Sequence, residues 1–100
     1  MQVKVPWFVD NYKQYDPEYQ AVVKQVVDGA MAEGPLDEKT RFLIALALDA
    51  FKGSSDGVKS LSKQARDAGA TAGEIAQAIR IAYFVIGMDV IKVALNAFDD

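Results

Sequence analysis

The sequence predicts an all-helical bundle in a single domain. Three observations carry that expectation. Apolar residues recur at intervals of three and four along most of the chain. Proline, aspartate, threonine and glycine stand where helices start and stop. No hairpin signal, internal repeat, linker or low-complexity tract breaks the pattern.

Asp16-Pro17-Glu18 is a strong helix start: an N-cap, a proline at the first helical position and an acid in the first turn. Tyr19, Val22, Val23, Val26, Val27 and Ala30 then form an apolar stripe, and Gly34-Pro35 is expected to stop the helix. Asp37 caps the next helix. From Phe42 to Phe51 that helix is apolar on every side except at Asp49, which predicts burial all round, by the fold or by a neighbouring subunit. Gly53 ends it. A shorter amphipathic helix sets Val58, Leu61, Ala65 and Ala68 on one face, and Gly69 closes it. Thr71-Ala72-Gly73-Glu74 reads as a capping box opening a last helical stretch to about Phe98, bent or broken at Gly87. The segment 1–15 holds Trp7, Phe8, Tyr12 and Tyr15. It is expected to be a short helix or an arm that lays aromatics on the bundle or on another subunit. With it, the bundle has about five to six helices.

Composition narrows the functions. One hundred residues make one domain, 1–100, yet 51% are hydrophobic, which is rich for so small a body and points to a partner surface. The net charge of -3 argues against nucleic acid, since phosphate binding wants a positive face. Met1 to Pro6 has no apolar signal core, and Ile81 to Met88 is far short of the ~20 residues that cross a bilayer. The expectation is a soluble, cytoplasmic protein that binds neither membrane nor nucleic acid. There is no cysteine and no histidine, hence no thiolate, no imidazole base and no disulfide. A metal site would need clustered oxygen ligands. No such spacing stands out, and no cofactor is expected.

Three stretches carry a resemblance. Leu36-Asp37-Glu38-Lys39-Thr40-Arg41-Phe42-Leu43-Ile44-Ala45-Leu46-Ala47 resembles the helix entering the active site of the carboxymuconolactone decarboxylase and alkylhydroperoxidase-D-like family. Gly69-Ala70-Thr71-Ala72-Gly73-Glu74-Ile75, followed by Ala78-Ile79, resembles that family's next landmark, and Asn96-Ala97-Phe98 a common ending. The resemblance is specific over 36–82 and implies the alkylhydroperoxidase-D-like helical fold. It also implies homo-oligomers, trimers or hexamers, whose interface Phe42–Phe51 and Ile75–Phe98 could supply.

In the peroxidase branch a glutamate, a Cys-x-x-Cys pair and a histidine do the chemistry. One thiol attacks the peroxide, the other resolves the sulfenic acid, and the glutamate and histidine move protons. The resemblance places these roles at Phe42, Ser54, Gly57 and Leu61, where all four groups are replaced. A serine hydroxyl without a base is a far poorer nucleophile, so peroxidase chemistry by this mechanism is not expected. The decarboxylase branch generally keeps the glutamate and histidine, so Phe42 and Leu61 remove its usual groups too. The sequence therefore points to a non-catalytic member with a structural or small-molecule-binding role and no assigned catalytic residue. Phe42, Ser54, Gly57, Leu61 and Tyr83 could line an apolar pocket for a small apolar ligand. The alternative is an enzyme of the family working through non-standard residues.

Three further patterns have plainer readings. Gly53-Ser54-Ser55-Asp56-Gly57 passes for a phosphate loop, but its spacing is wrong and Asp56 would repel phosphate. It reads as a turn with Ser54 or Ser55 as N-cap. Ser60-Leu61-Ser62-Lys63 lacks the companion motifs of Ser-x-x-Lys enzymes. Lys52, Lys59, Lys63 and Arg66 read as a solvated face, as does the Asp99-Asp100 tail. Asp49 and Asp89 stand inside apolar runs and are expected to be buried charges. Lys52, Arg41 and Arg80 are their candidate partners.

Overall fold

The computed structural model describes residues 5–99, all of whose regular structure is helical. Residues 1–4 of the expected aromatic segment and Asp100 of the expected tail lie outside it. The elements are α1 (Trp7–Tyr12), α2 (Pro17–Ala30), α3 (Glu38–Lys52), α4 (Ser55–Asp67), α5 (Ala72–Ala94) and a 3-10 turn (Leu95–Phe98). They fall into two compact units, which divide after Pro35.

The first unit pairs α1 with α2. Asp16 caps α2 as expected: its Oδ1 accepts the Tyr19 N–H at 3.1 Å, and Pro17 takes the first helical position, where no N–H is needed. The helix ends earlier than Gly34-Pro35 suggests, at Ala30, with Met31 as its C-cap. Val9 and Gln20 are buried. Trp7 and Phe8 meet edge to face at 5.9 Å between ring centroids, yet they, Tyr12 and Tyr15 all remain exposed.

In the second unit α3 lies against both α4 and α5. Asp37 Oδ1 accepts the Thr40 N–H at 2.8 Å to start α3. Gly53 ends it in the left-handed region at φ 75°, a conformation only glycine adopts without strain. The core is small. Its buried residues are Phe42 and Leu46, one turn apart on α3, Ala65 of α4 and Ala70 of the following loop. Of the two ways α3 was expected to be buried all round, its own fold does not supply it: Ile44, Leu48 and Phe51 are exposed within the single chain. The core of this unit touches only one face of the helix.

Val58, Leu61, Ala65 and Ala68 of α4 turn inward, while Lys59, Lys63 and Arg66 are exposed, as the amphipathic pattern predicts. Thr71 opens α5 with a complete capping box. The Glu74 N–H donates to Thr71 Oγ1 at 3.1 Å, and the Thr71 N–H donates to Glu74 Oε1 at 2.9 Å. Glu74 Oε2 also meets Lys39 Nζ at 2.7 Å, which ties the start of α5 to the start of α3. Gly87 does not break the helix: α5 runs unbroken for 23 residues. No residue of α5 is fully buried. Its half-buried stripe is Ile75, Ala78, Ala82 and Ile86.

Candidate functional site

The α3–α4 junction gathers most of the residues singled out by sequence. Gly53 turns the chain so that α4 starts back beside the last turn of α3. The Ser54 N–H donates to the Asp49 carbonyl at 2.9 Å, closing the end of α3. Ser54 then stands at the N-cap of α4, as expected of Ser54 or Ser55, but its side chain makes no capping hydrogen bond. Its hydroxyl lies instead beside Gly57.

Gly57 sits in the first turn of α4, and its missing side chain is what shapes the site. A Cβ there would lie 2.8 Å from Ser54 Oγ, 2.8 Å from Asp49 Cγ, and in closer collision with Asp49 Oδ2. Ordinary carbon contacts are about 3.5–4.0 Å, so the carboxylate of Asp49 occupies the volume that a side chain at 57 would need. Asp49, Ser54 and Gly57 are each half-buried. The arrangement presents one carboxylate and one hydroxyl at the start of a helix, beside the backbone of a glycine. Chemically it can accept hydrogen bonds from a donor through Asp49. It holds no thiol and no imidazole.

Phe42 lies in the core at 3% exposure, and Leu61 is half-buried on α4. Tyr83 is not part of this cluster's packing: it stands on α5 at 81% exposure. Asp89 and Arg80 are exposed on α5, so neither is a buried charge within the chain. The expected partners of Asp49 and Asp89 are corrected as well. Among the described residues neither carboxylate forms an ion pair, with Lys52, Arg41, Arg80 or any other cation. Asp49 is only partly withdrawn from water, which removes the need for one. Arg41 turns the other way: its Nη1 donates to the Leu36 carbonyl at 2.6 Å, while its buried Nε has no partner among the described residues.

Apart from Lys24, raised by its hydrogen bond to Asp28 along α2, the titrations that shift lie at the helix starts. Hydrogen bonding to Lys39, and then to the Thr71 N–H, holds the Glu74 carboxyl below its usual range. The Thr40 hydrogen bonds do the same for Asp37. Lys39 is raised in return by Glu74. Asp37 and Glu74 both serve as helix-cap groups. Among the described residues no cluster of acids could hold a metal ion, and no helix is long and apolar enough to cross a membrane.

Sequence reasoning picked out Asp49, Ser54 and Gly57 separately but missed that they meet. The available signal was a lone carboxylate at the end of an apolar helix, followed across a tight turn by a glycine where a helix normally prefers a side chain.

The fold has a solved counterpart. A crystal structure of a candidate carboxymuconolactone decarboxylase from Burkholderia xenovorans LB400 superposes with a TM-score of 0.77 at 23% identity, over 84% of this chain and 66% of that one. The chain thus spans just under two thirds of that protein's length, and the likeness speaks for the helical fold. A comparison with curated proteins gives no match. The sequence profile of the carboxymuconolactone decarboxylase family matches residues 17–100, which takes in α2 to α5 and the final turn. With the match running through nearly the whole chain, and with a fold to agree, the protein belongs to the carboxymuconolactone decarboxylase family.

Proposed function

We propose that this chain is a non-catalytic member of its family, a subunit with a structural or small-molecule-binding role in a cytoplasmic homo-oligomer, trimer or hexamer. One observation carries the reading. At the position where the resemblance puts the second cysteine, the chain has a glycine, and the Asp49 carboxylate fills the space beside it. A thiol at 57 would have no room. The site is packed around the loss of the redox pair, and Phe42 has gone into the core where the resemblance expects a glutamate. Assembly is supported by the apolar surface: Ile44, Leu48 and Phe51 on α3, and most large apolar residues of α5, face solvent in the single chain. The binding side of the role has one anchor in the Asp49 carboxylate and Ser54 hydroxyl, which offer polar contacts at the α3–α4 junction.

The test is turnover. Purified chain at tens of micromolar is incubated with hydrogen peroxide and a dithiol reductant and, separately, with carboxymuconolactone. The expected result is no conversion above the buffer rate in either. Conversion that survives purification and disappears in Asp49→Asn would reject the non-catalytic reading and establish the enzyme alternative. Native mass spectrometry of the same sample reads subunit number and any retained small molecule.

A further inference from the structure

The outward face of α5 carries a pattern that the packing of α5 on α3 does not use. Ile81, Phe84, Met88, Ile91, Leu95 and Phe98 follow one another at intervals of three and four, the spacing of a heptad seam. Successive 100° steps place this stripe on the side of α5 opposite the half-buried Ile75, Ala78, Ala82 and Ile86. Leu95 and Phe98 lie in the 3-10 turn, where side chains three apart eclipse, so Phe98 stays in line with the rest. The six residues are between 49% and 84% exposed. With a large apolar residue taken as about 200 Å², they offer about 750 Å², close to the ~800 Å² per partner of a stable interface.

We propose that this seam packs antiparallel against the same seam of a second copy, about a two-fold axis that passes between Asp89 and Val90. The inference rests on the assembly reading above and names its interface. Antiparallel layering sets Ile81 against the partner's Phe98, Phe84 against the partner's Leu95, and Met88 against the partner's Ile91. Every layer joins two large apolar residues and no layer is left polar. The ends agree in charge. Arg80 is exposed at one end of the seam and Asp99 at the other, so antiparallel packing brings unlike charges together, whereas parallel packing stacks like on like. An isologous contact of this kind has consequences for the subunit number. It requires an even count, which selects the hexamer over the trimer, with the three-fold contact formed by another surface, or else leaves a dimer.

The experiment is native mass spectrometry and sedimentation of the full chain, beside Ile91→Glu and a control, Lys63→Glu, whose side chain is 78% exposed on α4. The wild type is expected at an even multiple of 10.9 kDa. Ile91→Glu is expected to halve the subunit number with its helix content unchanged, and Lys63→Glu to leave the number as it was. A wild-type trimer, or an Ile91→Glu oligomer of unchanged size, would overturn the α5 seam and leave the assembly reading standing. A monomeric wild type would overturn both. Spin labels at Gln77→Cys and Lys92→Cys, in a chain with no other cysteine, give a readout that needs no disruptive charge. Along the helix axis, antiparallel packing separates the first pair by about 38 Å and the second by about 8 Å. Equal short distances at both sites would refute the arrangement.

Discussion

Replacing Gly57 with alanine tests the α3–α4 junction directly. The added Cβ would stand 2.8 Å from both Asp49 Cγ and Ser54 Oγ, and closer still to Asp49 Oδ2. Two effects oppose each other. Alanine in a helix gains roughly 0.5–1 kcal/mol over glycine, less in a first turn. Forcing a methyl into filled space costs about 1–3 kcal/mol. The aspartate is short and cannot swing its carboxylate clear without leaving its rotamer, so the clash wins and Gly57→Ala should cost about 1–2 kcal/mol. In an Asp49→Ala background the main obstruction is gone. There the same substitution should be neutral or stabilising by up to about 0.5 kcal/mol, a coupling of at least about 1 kcal/mol between the two positions. Urea unfolding followed by far-UV circular dichroism measures all four corners of the cycle, at one fixed protomer concentration because assembly shifts the midpoint. If Gly57→Ala has the same sign and size in both backgrounds, the carboxylate does not fill that space and the argument for a packed-over site fails.

Thr71→Ala removes the hydroxyl that accepts the Glu74 N–H at 3.1 Å, and should cost about 1 kcal/mol in the same urea assay; an unchanged midpoint would mean that the box contributes nothing at the start of α5. Leu46, at 0% exposure, has no room to relax around a deletion, so Leu46→Ala should cost about 2–5 kcal/mol; a loss below about 1 kcal/mol would show that the small core is not centred there. Acid stability should depend on Glu74. Its carboxyl titrates below the usual range in the folded chain, because Lys39 and Thr71 hydrogen-bond the charged form. Its contribution is therefore complete above the ordinary carboxyl value of 4.5 and is lost as the pH falls through the lower folded value. Glu74→Gln should flatten the decline of the urea midpoint in that acid range, and an identical decline in both proteins would remove Glu74 as its source.

The helix starts were legible in the sequence because they are local events. Asp16, Asp37 and Thr71 each cap through a hydrogen bond to a backbone N–H three residues on, a reach fixed by helix geometry alone. Gly53 was legible for the same reason: the left-handed turn that ends α3 selects glycine. Where the local signal was weak, the reading slipped. Gly34-Pro35 suggested a longer α2, although nothing local holds the helix beyond Ala30. Gly87 suggested a break, yet one glycine costs a helix only about 1 kcal/mol, less than the backbone hydrogen bonds on either side supply.

Burial and neighbourhood were decided by tertiary structure. The apolar stretch Phe42–Phe51 does not say which of its faces meets α4 and α5. In the fold Phe42 and Leu46 go inside, while Ile44, Leu48 and Phe51 stay out. Asp49, Ser54 and Gly57 were each visible as residues. That the carboxylate fills the glycine's empty position depends on the angle at which α4 returns across Gly53, which no spacing along the chain encodes. The sequence by itself determined the family, the helices and the missing thiols and imidazoles, since these are matters of residue identity and local geometry. Only the folded chain decided what took the place of the lost side chains, and which apolar surface was left uncovered, because both are set by contacts between segments distant in sequence.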